Sequence, residues 1–519
     1  MAAYETVIGL ECHVELSTET KMFCGCRNEF GAPPNTSVCP VCLGLPGSLP
    51  VPNEKAIEYI ARIGLALNCE IAPESLFHRK NYFYPDMPKD YQISQYDLPM
   101  CVGGHLEVEV DGRARRVQIT RAHMEEDTGK TTHVGQSGRI GQADHALIDY
   151  NRAGVPLVEV VSEPDMHSAE EARAYLMELR ATLEALGVSD VRMEEGSLRC
   201  DANISTRPVG ETTLGTKVEI KNLNSIRSLE RALRYEEERQ RRALDAGERL
   251  VQETRHFDEE TGATHTLRSK EEAFDYRYFP EPDLTPLTPE PAWVEELRAS
   301  LPELPAARRL RYVSELGLKP EQARILTSST AAARFFEETV ASGASAPVAA
   351  KWVTQDVAGF INESKIGIER FGERVTPASL AGLIKQIEAG GVSISAAKIL
   401  LARMFENGLQ PVAPEQIDQR GRVFPPRVVQ VGTAEERDVA SSIDALIVSS
   451  GLRQVTDTSA LEAWVDEAIA ENPGPVEQFR SGKEGALNAV LGQVMKKSRG
   501  SANPQAVRDL LLQRLSSRG

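Results

Sequence analysis

The ten residues Val7-Ile-Gly-Leu-Glu-Cys-His-Val-Glu-Leu16 constrain the fold more than any other stretch of this chain. A period of two puts Glu11, His13 and Glu15 on one side of an extended strand, and Leu10, Cys12, Val14 and Leu16 on the other. The segment therefore predicts a strand with one face packed and one face open. Taken alone, such a face is an ordinary solvated sheet surface. The pattern recurs, however. Leu198-Arg-Cys-Asp-Ala-Asn-Ile-Ser205 separates Arg199, Asp201, Asn203 and Ser205 from Leu198, Cys200, Ala202 and Ile204, and Thr216-Lys-Val-Glu-Ile-Lys221 separates Lys217, Glu219 and Lys221 from Thr216, Val218 and Ile220. A sheet with one apolar face and one face dense in Glu, Asp, Asn, His, Arg and Lys carries more chemistry than solubility requires.

Carboxylates mixed with His or Asn suit Mg²⁺, a hard cation that bridges nucleotide phosphates, and nearby Lys and Arg suit a phosphoryl group in transfer. Further candidates lie in His123-Met-Glu-Glu-Asp127, in Asp149-Tyr-Asn-Arg152 and at Glu159. The neighbours Glu125 and Glu126 point to opposite faces of a strand, so at most one of them joins a shared site. A Walker loop is not supported at Gly129-Lys130-Thr131, because the position that needs glycine holds Met124. No Gly-x-Ser-x-Gly elbow, serine-rich amidase stretch or glutaminase-like cysteine is found.

At 519 residues, with 41% hydrophobic and 26% charged, the chain has the composition of a globular protein of two to four domains. The N-terminus lacks a basic segment followed by an apolar one, and no run of eighteen apolar residues occurs. The expectation is a cytoplasmic protein, neither secreted nor membrane-spanning. A net charge of −17 argues against general nucleic-acid binding, so any such contact must be local. From Val476 to Gly519 eight basic residues face three acidic ones, a net of +5. Four of the eight cysteines fall within nineteen residues as Cys24-Gly-Cys26 and Cys39-Pro-Val-Cys42, the spacing of a closed, structural Zn(Cys)₄ site.

Alternating segments and Gly/Asn turns, with helical stretches at Asn53–Leu67, Ser168–Leu186 and Arg227–Ala246, make the first part a mixed α+β domain. Prolines crowd Tyr278–Pro291 and mark a boundary, after which Ala, Leu, Glu and Arg recur with helical period, as in Ala331–Ala341 and Pro377–Glu388. A second break lies near Gly408–Pro426. The expected domains are 1–292, 293–410 and 411–519.

Long stretches now identify a likeness. Glu5-Thr-Val-Ile-Gly-Leu-Glu-Cys-His-Val-Glu-Leu16, Arg79-Lys-Asn-Tyr-Phe-Tyr-Pro-Asp86, His123–Asp127, Met193–Ser205, Lys221-Asn-Leu-Asn-Ser225 and Asp275-Tyr-Arg-Tyr-Phe-Pro-Glu-Pro-Asp283 resemble the GatB/GatE family, the B subunits of bacterial glutamyl/aspartyl-tRNA amidotransferases. Gly492-Gln-Val-Met-Lys496 with Ala502-Asn-Pro504 resembles that family's YqeY-type tail. The resemblance implies an antiparallel-sheet cradle related to glutamine synthetase, then an all-α domain, then a YqeY-like tail that contacts tRNA. It implies ATP- and Mg²⁺-dependent phosphorylation of the side-chain carboxylate of Glu-tRNA(Gln) or Asp-tRNA(Asn). Ammonia from an amidase A subunit then displaces phosphate, and a small C subunit straps the two large subunits together. On this resemblance the Mg²⁺ ligands fall on His13, Glu126 and Glu159, with Glu11 beside them. Glu11, Arg199, Asp201 and Lys221 take the catalytic roles, Lys217 and Asn203 contact ATP, and Lys496, Lys497 and Arg499 contact tRNA. Some members lack counterparts of Cys24, Cys26, Cys39 and Cys42, which places zinc outside the reaction. The segment Arg420–Ser449 looks longer than usual for the family.

Two other readings of the residues stay open. A ligase acting on a free acid would use the same sheet without a basic tail, and an RNA-binding scaffold would carry Lys, Arg and aromatics in place of the carboxylates. Which charged tRNA is the substrate is not written in the sequence.

Overall fold

The computed structural model describes residues 4–135, 143–269, 276–409, 416–417, 423–424, 439–453, 458–498 and 502–516. It divides into two compact units, 1–308 and 309–519.

Strand β1 (Tyr4–Glu15) lies at the centre of the first unit. Around it stand β2 (His78–Asn81), β3 (Tyr91–Ser94), β4 (Arg113–Glu126), β5 (Pro156–Ser162), β6 (Leu198–Pro208), β7 (Val218–Lys221), β8 (Glu253–Asp258) and β9 (Ala263–Ser269). They belong to a thirteen-stranded sheet whose main path runs β9-β8-β7-β6-β1-β5-β4-β3-β2 and ends on Phe279–Pro280. Every adjacent pair on that path is antiparallel except β7 with β8, which run parallel. The expected all-antiparallel sheet is therefore corrected to a mixed one. The cause is α3 (Ile226–Asp245), a crossover helix that returns the chain to the same end before β8 begins.

One face of the sheet is apolar. Leu10, Cys12 and Val14 of β1, Val158 and Val160 of β5, and Cys200, Ala202 and Ile204 of β6 are buried. They share a core with Ile60 and Ile63 of α1 (Glu54–Ala66), with Tyr175, Leu176, Leu179 and Leu183 of α2 (Ala169–Leu186), and with Leu229 and Leu233 of α3. Each large side chain so buried contributes about 1.5–3 kcal/mol. Helix starts follow their caps. The Asn53 side-chain Oδ1 accepts from the Lys55 and Ala56 amides at 2.9 and 3.1 Å, and the Ser168 hydroxyl accepts from the Glu171 amide at 3.1 Å.

Beyond the proline-rich stretch, α4 (Pro291–Ala299) still belongs to the first unit. Leu297 is buried in its core, and Arg62 of α1 donates to the Ser300 hydroxyl at 3.0 Å. The compact unit thus runs past the expected boundary at 292, because the helix after the prolines folds back onto α1.

The second unit is helical in its described residues apart from the short pair Gln416–Ile417 and Val423–Phe424. One core gathers Phe335, Phe336, Phe371, Leu383, Ile384, Leu400 and Met404, and also Ile443, Leu446 and Ile447 from the helix Val439–Ser449. That helix was expected with the tail, yet its apolar side completes this core. Most of the long segment Arg420–Ser449 otherwise lies outside the described residues. A separate core joins Leu461 and Val465 of Thr458–Glu471 to Val490 and Val494 of Leu487–Lys497 and to Val507 and Leu511 of Pro504–Ser516.

Candidate active site

The second face of the sheet collects the polar alternates of its strands. Register sets them side by side. His13 lies opposite Glu159 on one flank and Arg199 on the other, Glu11 opposite Asp201, and His123 opposite Glu159. Glu125, two residues beyond His123, shares its face, while Glu126 turns to the other side.

The densest point is where β1, β5 and β4 meet. His123 Nε2 lies 3.0 Å from Glu159 Oε2 and 3.3 Å from Glu125 Oε1. His13 adds Nδ1 at 3.6 Å from Glu125 Oε2 and Nε2 at 3.9 Å from Glu159 Oε1. Burial opposes charge on His123, but Glu125 and Glu159 more than offset it and push its pKa up to about 9. Glu125 is held well below the ordinary carboxylate value in turn: burial works the other way, and His123 with His13 and Lys80 outweighs it. Donor atoms of His123, Glu125 and Glu159 all fall within 4.8 Å of one another. A buried carboxylate, Glu125, and a mostly buried one, Glu159, beside two imidazoles fit a divalent cation that keeps positions open for substrate.

Glu126 does not share this group. Its Oε1 pairs with Lys89 Nζ and accepts from the Ile93 amide at 2.9 Å, and both side chains of the ion pair are nearly fully buried. Glu125, not Glu126, shares the polar face with His13, His123 and Glu159. Parity in the sequence separates Glu125 from Glu126, and the pairing of His123 with Glu159 puts Glu125 on the side of His13.

Toward β7 the face carries the other assigned residues. Asn203 Nδ2 donates to Glu11 Oε1 at 2.9 Å. Lys221 Nζ bridges Asp201 Oδ2 at 2.5 Å and Glu219 Oε1 at 3.1 Å. Burial would lower the Lys221 pKa, yet Asp201 and Glu219 hold it above the ordinary value, so the ammonium is permanent. Lys217 stands exposed just ahead of β7. At the other end of β1, Arg199 donates to Asp127 Oδ1 at 3.0 Å, and Arg152 reaches Asp127 Oδ2 at 2.6 Å and also pairs with Glu15. Burial lifts the Glu15 carboxyl to about 7 despite Arg152. Arg152 and Asp127 were seen only as members of candidate stretches. Their meeting with Glu15 and Arg199 depends on the turn after the hairpin strand Ala143–Asp149.

Lys80 on β2 completes the face. Burial disfavours its charge, but Glu125 first, then Tyr278, Tyr276 and Glu159, keep its pKa raised. Nothing in the sequence set this lysine apart from its neighbour Arg79, which faces Glu281 at 2.6 Å.

The cysteine sulfurs of Cys24, Cys26, Cys39 and Cys42 lie within 4.8 Å of one another, as a tetrahedral metal centre requires. The Cys39 amide donates to Cys42 Sγ at 3.1 Å, and buried Lys21 places its Nζ 3.8 Å from the same sulfur. A hydrogen bond from Cys24 is the largest cause that lowers the Cys42 thiol to about 5. This donor set suits a thiolate-bound metal.

In the tail, Lys496 is exposed, whereas Lys497 Nζ pairs with Glu467 at 3.0 Å and Glu471 at 2.9 Å. Arg514 likewise meets Glu462 at 3.1 Å. The acidic helix Thr458–Glu471 thus offsets part of the positive charge counted from Val476 onward. Arg499 lies outside the described residues. Among those residues, no helix is long and apolar enough to cross a membrane.

Comparison with known proteins agrees over both units. Residues 6–295 match the GatB/GatE catalytic domain, and residues 334–515 match the GatB domain. The chain is 52% identical over 521 residues to the B subunit of the aspartyl/glutamyl-tRNA(Asn/Gln) amidotransferase of Frankia casuarinae, covering 99% of this chain and 96% of that protein. It is 51% identical over 518 residues to the protein of that name from Thermosynechococcus vestitus, covering 99% and 97%. To the Carboxydothermus hydrogenoformans protein it is 47% identical over 516 residues, covering 99% and 100%. With both domain models matched in order and relatives aligned from end to end, the chain belongs to the GatB/GatE family.

Proposed function

We propose that this chain is the B subunit of a tRNA-dependent amidotransferase. It activates the side-chain carboxylate of Glu-tRNA(Gln), Asp-tRNA(Asn) or both, by phosphorylation from ATP, and then passes the acyl phosphate to ammonia. A carboxylate is inert toward ammonia, whereas an acyl phosphate reacts once water is kept away. The observation that carries the reading is the group His13, His123, Glu125 and Glu159, set beside the fixed cations of Lys80 and Lys221 on one sheet face. When bound there, Mg²⁺ supplies the charge that gathers the phosphates of ATP and draws electron density from the transferring group. Lys221, braced by Asp201 and Glu219, presents a positive charge that needs no reorganisation as charge develops. Arg199, turned by Asp127 toward the end of β1, is a second such charge. Glu11, anchored by Asn203, lines the space between them, and Lys217 stands at its outer edge for the nucleotide.

The reading includes a fold related to glutamine synthetase, an amidase A subunit as ammonia source, a small C subunit and a cytoplasmic setting. The four cysteines bind a structural zinc ion that fixes the loop beside the cradle. Lys496 and Arg499 contact the tRNA backbone, and Lys497 does so only if it exchanges its acidic partners for phosphate. The test is reconstitution with the A and C subunits, ATP, Mg²⁺, glutamine and mischarged tRNA, with phosphate and amide measured together. One phosphate per amide, lost in Glu125→Ala and His13→Ala, supports the proposal. Activity near wild type in both variants would refute the metal assignment.

A further inference from the structure

Strand β2 carries Lys80 on the polar face and runs straight into Tyr82-Phe83-Tyr84, where the aromatic character of the surface changes abruptly. Phe83 is 65% exposed, Tyr84 54% and Tyr96 55%. The rings are ordered. Tyr82 and Tyr84 stack at 5.4 Å and 12°, Tyr96 and Tyr278 at 4.2 Å and 10°, and Tyr276 meets Tyr278 edge-on at 6.1 Å. Cations sit among them: Lys80 Nζ lies 4.9 Å from the centre of the Tyr276 ring, and the Arg277 guanidinium 5.9 Å from that of Phe83.

The platform is rigid as well as exposed. Its turn is held from below by the Gly129 amide on Asp86 oxygen at 2.8 Å and by the Tyr150 hydroxyl on Pro85 oxygen at 2.7 Å. Asn81 Nδ2 binds the Tyr276 and Arg277 carbonyls at 3.1 and 2.8 Å, and Arg277 is kept at a φ of +45°, a strained conformation for a side chain of its size.

We infer that this aromatic and cationic rim stacks the unpaired nucleobases at the 3′ end of the substrate tRNA, a reading that rests on the function proposed above. Exposed π-faces interleaved with cations fit a base joined to phosphate better than they fit an apolar protein partner. Position agrees. Tyr82 follows Lys80 by two residues, about 7 Å along the strand, and Lys80 lies in the field of Glu125 and Glu159. An amino acid esterified to the terminal nucleotide, with its side chain at that group, leaves the last bases within reach of the rim.

The experiment uses the complete assembly with its A and C partners and two charged substrates: intact tRNA, and tRNA whose penultimate 3′ nucleotide is abasic. The double variant Phe83→Ala/Tyr84→Ala should raise KM about 10- to 100-fold on intact tRNA and add little on the abasic substrate, since both changes remove one stack. Phe83→Tyr should keep the wild-type KM and Phe83→Leu should raise it, because the ring face matters more than the apolar area. Losses that multiply, a Leu variant as good as Phe, a rise in KM for ATP, or an assembly that falls apart would each overturn the inference; the last two would point to the adenine of ATP and to a protein interface. Absence of amide with the wild-type assembly would overturn the function on which the inference rests.

Discussion

Glu126→Gln should weaken the fold while sparing metal binding, whereas Glu125→Gln should abolish metal binding. The Glu126 and Lys89 side chains are 3% and 7% exposed, and removing one partner of such a buried pair costs about 3–5 kcal/mol. The amide oxygen of Gln keeps the hydrogen bond from the Ile93 amide, so the low end, about 3 kcal/mol, applies. In a unit of 308 residues, at about 2.1 cal/mol/K of unfolding entropy per residue, each kcal/mol moves Tm by about 1.5 °C, which gives a fall of about 5 °C. At Glu125 the neutral isostere keeps the Ser94 hydroxyl contact, 3.0 Å in the parent, and removes one of two facing carboxylates. Because Glu125 is itself buried and paired with His123 and His13, its Tm should fall as well, and metal binding is what separates the two variants. Losing a ligand outright should cut Mn²⁺ affinity by more than the ~10- to 100-fold typical of an outer-shell change, and kcat by about 10²- to 10³-fold. Thermal melts followed by circular dichroism and Mn²⁺ titration by electron paramagnetic resonance check both arms. A Glu126→Gln protein with unchanged Tm and lost Mn²⁺ binding, beside a Glu125→Gln protein that binds normally, would show that the two faces have been exchanged.

Metal analysis of freshly purified protein should give about one zinc per chain, and Cys39→Ser should release it and open the loop around it to proteolysis; a cysteine cluster with no metal and unchanged proteolysis would contradict the zinc reading. Glu15 makes stability depend on pH: its carboxyl, raised to about 7 by burial against the pull of Arg152 and Arg199, with Asp127 adding to the rise, contributes stability in full below its ordinary value of 4.5 and loses it as pH climbs through 7. The urea midpoint of Glu15→Gln should therefore gain on wild type between pH 5 and pH 8, and a constant difference across that range would refute it. In the tail, Lys496→Ala should lower the salt slope of tRNA binding by about one, whereas Lys497→Ala, already committed to Glu467 and Glu471, should lower it less; equal effects would show that those ion pairs break on binding.

The sequence disclosed most where one periodicity ruled. Alternation in β1 and β6 placed Glu11, His13, Arg199, Asp201 and Asn203 on one face, and the structure sets them there. Adjacent carboxylates defeated the same rule: alternation separates Glu125 from Glu126, but only the pairing of His123 with Glu159 says which of them faces His13. Long-range meetings were less visible still. Glu15, Arg152, Asp127 and Arg199 come together from four distant stretches, and no local pattern encodes that. The helix boundaries followed their caps closely at Asn53 and Ser168, whereas the domain limits did not. Prolines before α4 stop a helix but do not stop the next one from packing backward. In the tail, the charge counted from Val476 leaves out the acids of the preceding helix that meet Lys497 and Arg514.

Activation of a side-chain carboxylate by phosphate is the central claim, and oxygen transfer tests it directly. Glutamyl-tRNA labelled with ¹⁸O in both side-chain carboxylate oxygens, given to the complete assembly with ATP, Mg²⁺ and glutamine, should yield inorganic phosphate carrying one ¹⁸O for each amide formed. Phosphate free of label alongside labelled amide would mean that ATP is hydrolysed without passing through an acyl phosphate, and would contradict the account.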